Sequence, residues 1–138
     1  MSSDTDIARA MLKHLNTWPD KPCEIKLELL DRTAVAMKLQ PLSGTVVTKR
    51  YITGTYIGAW PFAVYVRIQK ADTATRANAI KWLYDLGQWL STQTNPDIGL
   101  TRAAQKVEIT NLPSIATIND DGSEEFQAIY TMEYKQTK

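Results

Sequence analysis

The sequence is poor in cysteine and histidine, with one of each among its 138 residues. Cys23 therefore has no partner for an intramolecular disulfide. His14 and Cys23 do not stand in the C-x-x-C or H-E-x-x-H spacing that is typical of zinc sites. We interpret Cys23 as a small, partly buried apolar residue and His14 as a solvated residue on the polar side of the first helix. We predict no metal and no cofactor.

An excess of charge of one sign is also missing. Sixteen basic and fifteen acidic residues give a net charge of +1, and neither sign forms a long run. Binding through nucleic-acid phosphates requires concentrated cations, so we predict no specific nucleic-acid partner. The N-terminal region has no long apolar run, which predicts neither a signal peptide nor a membrane span. With a single cysteine, these features favour a protein made in a reducing cytoplasm.

Signatures of catalysis and phosphate binding are absent as well. The sequence has no Gly-x-Ser-x-Gly, and Gly54 and Gly58 do not lie in a phosphate-binding motif. The acidic group near the C-terminus lacks the alternation of a calcium loop, so we interpret it as a solvated hairpin tip. This group comprises Asp120, Asp121, Glu124 and Glu125. We predict no catalytic residue; a hydrolase or isomerase that uses Glu108 or Glu133 is a third, minor hypothesis.

The composition that remains is that of a folded domain, with 43% hydrophobic and 22% charged residues. Hydrophobic periodicity predicts a helix over about 4–17, strands between about 24 and 70, a helix over about 72–92 and two strands over about 106–135. Residues 24–29 alternate like a half-buried antiparallel strand, and "DRT" at 31–33 would turn the chain. The sequence predicts a single α+β domain, 1–138, in which a mostly antiparallel sheet of about five to six strands packs against two helices.

The helix over 72–92 carries more apolar residues than one buried stripe requires. We expect Ile80, Leu83 and Leu90 to face the sheet. Trp82 and Trp89, seven residues apart, would then lie along one flank that the first helix or another subunit must cover. A stacking platform for bases or sugars is the alternative, although platforms for nucleic acid usually carry interleaved basic residues.

The segment "RYITGTYIGAWPF" at 50–62 is the least ordinary part of the chain. We interpret it as a glycine-bearing loop with five large apolar side chains: Ile52, Tyr56, Ile57, Trp60 and Phe62. Their full burial would contribute on the order of 10 kcal/mol before the costs of association. The loop could extend the protein's own core, cover a neighbouring subunit or form a pocket. The predicted subunit or partner interface comprises Ile52, Tyr56, Ile57, Trp60, Trp82 and Trp89.

Several segments resemble, in this order, the small minor capsid proteins of long-tailed bacteriophages that infect Gram-positive bacteria. They are "LQPLSGT" at 39–45, "YITGTYIGAWPFAVYVR" at 51–67, "ANAIKWLYDLGQWL" at 77–90 and "LPSIATINDDGSEEFQAIYTMEY" at 112–134. The resemblance extends from about Leu29 to Tyr134. It departs from the family's pattern at Thr53, where an acidic residue is expected before Gly54.

The resemblance implies a tail terminator, an α+β protein that forms a ring, typically hexameric, at the head-proximal end of the tail tube. Such a ring caps the tube and connects it to the head, so its implied partners are copies of itself, the tail-tube protein and head connector proteins. It also implies a place in the virion after synthesis in the host bacterial cytoplasm. A neck or connector subunit is a further possibility. A small-molecule or peptide-binding α+β module, with the Gly54–Gly58 loop as a lid, is the alternative from another class.

Overall fold

The computed structural model describes residues 3–27, 35–42, 46–69, 72–92 and 102–136. Within these ranges, two helices and six strands follow one another. Their bounds are α1 (Ser3–Leu15), β1 (Ile25–Leu27), β2 (Val35–Pro41), β3 (Val46–Arg50), β4 (Tyr56–Ile68), α2 (Thr73–Thr92), β5 (Arg102–Ile118) and β6 (Glu124–Gln136). The α+β class, the two helices and the six strands are as the sequence predicts. No helix in these ranges is long and apolar enough to cross a membrane.

All six strands form one sheet, in the order β1-β2-β4-β6-β5, with β3 beside the first part of β4. β4 pairs with β6 along its whole length, from Tyr56 opposite Gln136 to Ile68 opposite Glu124. Its other edge is shared, because β3 pairs with residues 56–59 and β2 pairs with residues 62–68. β4 is therefore the central strand, and its two ends define the two ends of the sheet.

The pairing of β1 corrects one expectation. Ile25 lies opposite Met37 and Leu27 opposite Leu39 in a parallel pair, not in the antiparallel hairpin expected there. Alternation of side chains fixes which face of a strand is buried, but it is the same for both strand directions. The expected turn at 31–33 and the end of the predicted strand at 28–29 lie outside the described residues.

A side chain just after α1 anchors the first residue of β1. Asn16 accepts a hydrogen bond from the Ile25 N–H at its Oδ1 (2.9 Å) and donates from Nδ2 to the Ile25 carbonyl (3.0 Å). The same Nδ2 donates to the carbonyl of Leu12 in the last turn of α1 (3.1 Å). One amide thus satisfies the backbone of the first residue of β1 and adds a second hydrogen bond to the Leu12 carbonyl, which also accepts from the Asn16 N–H (3.1 Å).

The core lies between the helices and one face of the sheet. Along β4 the side chains of Trp60, Phe62 and Val64 are fully buried, and along β6 those of Tyr130, Met132 and Tyr134 are. The rings of Phe62 and Tyr130 stack with centroids 5.4 Å apart. Ile7, Met11 and Leu15 of α1 and Leu83, Leu86 and Leu90 of α2 join the same cluster. The other face of the sheet is half-exposed, with Tyr65, Gln127, Ile129 and Thr131 on it.

Helix α2 approaches the sheet closely at one residue. A Cβ atom on Gly87 would clash with the Ile109 side chain and lie 3.2 Å from Cε1 of Tyr130. The Tyr130 hydroxyl donates a hydrogen bond to the Leu83 carbonyl, one turn earlier in the helix (2.6 Å). Burial of this phenol raises the pKa of Tyr130, so it remains a donor. Gly87 and Tyr130 together fix the height of α2 above β5 and β6.

Candidate assembly surface

A five-residue turn closes the β3–β4 hairpin at one end of the sheet. Gly54 donates a hydrogen bond to the Tyr51 carbonyl (3.0 Å), and the Tyr51 N–H donates to the Thr55 carbonyl (2.9 Å). Gly54 has φ 92°, which is why glycine is needed at this position. The geometry leaves Ile52 at the corner of the turn with a fully exposed side chain.

Basic side chains surround this turn and lie against aromatic rings. Lys49 Nζ is 5.2 Å and Lys135 Nζ 6.0 Å from the centre of the Tyr51 ring. The guanidinium of Arg50 lies 5.7 Å from the centre of the Tyr56 ring. Residues 46–56 and 134–136 contain no carboxylate, and Glu133, two residues before Lys135 on β6, is the first one along that strand. We call this region, Lys49–Thr55 with Lys135, the basic end.

A hollow of about 540 Å³ lies against the basic end. Arg50, Tyr51, Ile52, Thr53, Thr55 and Lys135 line it. It is bounded on one side by a hairpin turn, so it differs from the enclosed apolar pockets that hold small molecules. It can accept a side chain or a segment of another protein.

The opposite end of the sheet carries a second turn of the same construction. Gly122 donates to the Asn119 carbonyl (3.0 Å), the Asn119 N–H donates to the Ser123 carbonyl (2.8 Å), and Gly122 has φ 87°. Asp120 therefore occupies the corner position that Ile52 occupies in the first turn. The hairpin turn predicted from "NDDG" is confirmed.

Hydrogen bonds to the Asp121 carboxylate favour its ionised form in the second turn. Asp121 Oδ1 accepts from the Ser123 hydroxyl (2.6 Å) and from the Ser123 N–H (2.9 Å). These bonds, the hydroxyl bond first, hold the pKa of Asp121 below its usual value. Asp120 is exposed, and Ile118, which leads into the turn, is 70% exposed. We call Ile118–Ser123, with Glu125, the acidic end.

Glu124 differs from the solvated residue expected. Its carboxylate is nearly covered and receives two hydrogen bonds from Arg76, one from Nε (3.0 Å) and one from Nη2 (2.7 Å). Arg76 lowers the pKa of Glu124. This pair ties the start of α2 to the start of β6, so Glu124 has a structural role.

A third apolar area lies between α2 and the outer side of β5. Tyr84 and Leu112 line a shallow hollow of about 280 Å³ there. Leu112 and Ile115 are both exposed, and Ile80 of α2 is 41% exposed. Ile80 therefore does not face the sheet as expected, whereas Leu83 and Leu90 do. We call Ile80, Tyr84, Leu112 and Ile115 the β5 flank.

The residues predicted for the interface separate into exposed and buried groups. Ile52 is at the tip of the basic end, and Tyr56 and Ile57 follow it half-buried at the start of β4. Ile57 lies opposite Lys49 on one side and opposite Lys135 on the other. The structure thus brings Ile52, Tyr56 and Ile57 together at the basic end.

Trp60 does not lie at the surface, although this is expected of an interface residue. Its side chain is 0% exposed and its ring stacks on Phe62 with centroids 5.1 Å apart. The segment expected to be a loop is a strand from Tyr56 onward, and Gly58 is a buried position within it, opposite Val47 and Tyr134. The side chain of Trp60 therefore belongs to the subunit's own core and is not available to a partner.

Trp82 and Trp89 are half-buried on α2. The ring of His14 in α1 stacks on Trp89 with centroids 5.0 Å apart, so the first helix covers this flank at Trp89. His14 is therefore not the solvated residue expected: its Nε2 is buried with no hydrogen-bond partner among the described residues. Cys23 is partly buried against the core, as predicted.

Sequence reasoning missed the β5 flank and the likeness of the two turns. Leu112 and Ile115 lie in a region correctly predicted to be a strand, and strand periodicity does not reveal where an overlying helix stops. A Gly at the fourth position of each turn, in "YITG" and "NDDG", was the available signal.

Metal-ligating side chains are not arranged as a site in the part of the chain that the structure describes. It contains no group of three or more His, Cys, Asp or Glu side chains placed to hold a metal ion. Glu108 is exposed and Glu133 is half-exposed on the sheet. Tyr130 is fully buried and its hydroxyl is bonded to the Leu83 carbonyl, so it lines no open cleft.

Comparison with known proteins shows similarity of fold. No protein-family profile matches the chain, and no curated protein matches its sequence. In three dimensions it is similar to a chain of the virion of a native gene transfer agent (GTA) particle, with a TM-score of 0.58 over 96% of this chain and 93% of that chain. The two sequences are 8% identical, so the likeness shows a shared fold alone.

Proposed function

We propose that the protein is a structural subunit of a phage-type virion: a tail terminator or head–tail joining protein that self-assembles into a ring, caps the tail tube and connects it to the head. The observation that carries the proposal is the shared fold with a virion chain over nearly the whole of both chains. The sequence motifs that resemble phage minor capsid proteins support it independently. In the virion the protein would be located at the head-proximal end of the tail.

The surface supports assembly as the activity. Exposed large apolar side chains are concentrated at the basic end, the acidic end and the β5 flank. Such patches usually mark contacts with other proteins. A contact between two different patches on successive copies is heterologous, and it produces a ring when the rotation between copies closes. The partners would be further copies, the tail-tube protein and head connector proteins.

Light scattering after size exclusion at tens of micromolar tests the self-assembly. We expect one discrete oligomer whose mass is a small multiple of 15.6 kDa. Electron microscopy after mixing with the cognate tail-tube protein should show tubes capped at one end. A protein that stays monomeric and leaves tube length unchanged would contradict the proposal.

A binding module is the second candidate, and the hollow at the basic end is the observation in its favour. The lid proposed for it does not exist as such, because Gly58 lies inside β4. Arg50 and Lys135 at the rim would select an anionic ligand. Isothermal titration of the monomer with phosphate and with acidic peptides distinguishes this function, since a ring subunit needs neither for assembly.

A further inference from the structure

The turns at the two ends of the sheet have the same backbone hydrogen bonds, and the side chains around them carry opposite charge. Each ends in a five-residue turn with the same hydrogen bonds and a glycine of positive φ at its fourth residue. At the basic end the corner residue is Ile52, and at the acidic end it is Asp120. At about 3.4 Å per residue, the 13 residues of β4 separate the ends by roughly 40 Å.

The apolar residues at the two ends also correspond. Ile52 is fully exposed beside Tyr51, which is 41% exposed. At the other end Ile118 is exposed next to the acidic turn, and Ile115, the residue of the β5 flank that lies nearest to this turn in sequence, is exposed three residues before Ile118 on β5. The exposed Ile52 lies among cations, whereas the exposed Ile115 and Ile118 on the same chain lie near carboxylates. Charge complementarity of this kind sets the register of a contact and suppresses wrong pairings.

We infer that the basic end of one copy docks on the acidic end of a second copy of this chain. Ile52 and Tyr51 would pack against Ile118 and Ile115, while the cations of the basic end would meet the Asp120 and Asp121 carboxylates. The inference rests on the proposed self-assembly and specifies the surfaces that carry it. Because donor and acceptor surfaces are at different places on the chain, every copy can both give and receive this contact.

The test exchanges the charges of the two ends. The first variant, Lys49→Glu with Arg50→Glu, makes the basic end acidic. The second, Asp120→Lys with Asp121→Asn and Glu125→Gln, gives the acidic end a net positive charge; the asparagine keeps an Oδ1 acceptor for Ser123 and the glutamine an Oε1 acceptor for Asn119. Lys49, Arg50, Asp120 and Asp121 are exposed, and the half-buried Glu125 is replaced by an amide that keeps its hydrogen bond, so both variants should fold, which circular dichroism checks.

Each variant alone has like charges at both ends, so it should need at least tenfold higher concentration than wild type to assemble. An equimolar mixture should assemble as wild type does, because copies that alternate between the two variants meet opposite charges at every contact. Sedimentation velocity at low salt measures both results. Raising the salt to 1 M, where the Debye length is about 3 Å, should weaken wild-type assembly.

A matched control reverses two charges on α1, Arg9→Glu with Lys13→Glu. It changes the net charge by the same amount as the first variant and should assemble as wild type does. The inference is wrong if either end variant assembles normally alone, if the folded mixture does not recover assembly, or if the α1 control fails equally. Wild type that never assembles would overturn the proposed function as well, whereas normal wild-type assembly with any of these results overturns this contact alone.

Discussion

His14 links the packing of the two helices to pH. Its ring is stacked on Trp89 and its Nε2 is buried, so protonation would place an unpaired charge between α1 and α2. This burial lowers the pKa of His14 below its ordinary value of 6.5. Above that pH the residue is neutral in both the folded and the unfolded state, and its contribution to stability is complete.

We therefore expect the free energy of unfolding to fall as the pH decreases below 6.5, because the unfolded chain takes up the proton first. Urea unfolding at pH values from about 7 to about 5 measures the slope. The variant His14→Phe keeps an aromatic ring against Trp89 and removes the titrating group, so this part of the slope should disappear. An unchanged slope would show that His14 titrates normally.

At the scale of elements, the contact between α2 and β5 depends on the missing side chain of Gly87. A methyl group there would overlap Ile109 and approach Tyr130. Gly87→Ala gains about 1 kcal/mol in helix propensity but overpacks the contact, which costs about 1–3 kcal/mol. We expect a net loss of stability or, at best, no gain, measured by chemical unfolding.

The companion substitution Ile109→Ala tests the cause. It removes the atoms that the new methyl group would meet, so it should cost less in the Gly87→Ala background than in wild type. A coupling of at least about 0.5 kcal/mol in the double-mutant cycle is expected. Additive effects would mean that α2 moves away from β5 without resistance.

Periodicity predicted most elements to within a few residues, α2 best of all, because these elements carry their apolar residues at a regular spacing. It failed at the start of β4, where two glycines suggested a loop. Tyr56, Gly58 and Trp60 continue the alternation of Phe62 and Val64, so the signal for a longer strand was present. Gly58 is tolerated there because β3 and β6 pair with it on both sides.

The candidate surface was only partly predictable for a different reason. Ile52 and Trp60 are both large and apolar and lie in one segment, yet one is fully exposed and the other fully buried. Their difference depends on where the turn ends and on which face of β4 the helices cover. Exposure of this kind belongs to tertiary structure, and local sequence does not encode it.

At the scale of the whole molecule, substitutions of Ile52 and Trp60 distinguish effects on self-assembly from effects on folding. Ile52→Asp should change stability by no more than about 0.5 kcal/mol, since the side chain has no internal contacts to lose. It should weaken self-assembly, because it removes an apolar contact and adds a carboxylate to the basic end. Trp60→Ala should instead cost about 3–5 kcal/mol of stability through a core cavity.

Thermal unfolding and light scattering on the same samples measure both effects. The result that would contradict this assignment is a stable, normally assembling Ile52→Asp protein. Loss of the fold in Ile52→Asp would contradict it too, by showing that the tip packs against the subunit's own sheet.

The outer strand of the sheet, β5, is irregular, and this affects whether separate molecules can pair through it. β5 pairs with β6 through four register shifts, it contains Pro113, and no described strand lies on its other side. Bulges and proline leave the outer hydrogen-bonding groups of β5 out of line for another strand, which disfavours pairing of two molecules through this edge. We therefore expect a concentrated solution to form no thioflavin-binding aggregates through β5, and contacts between molecules at this edge to be made by side chains.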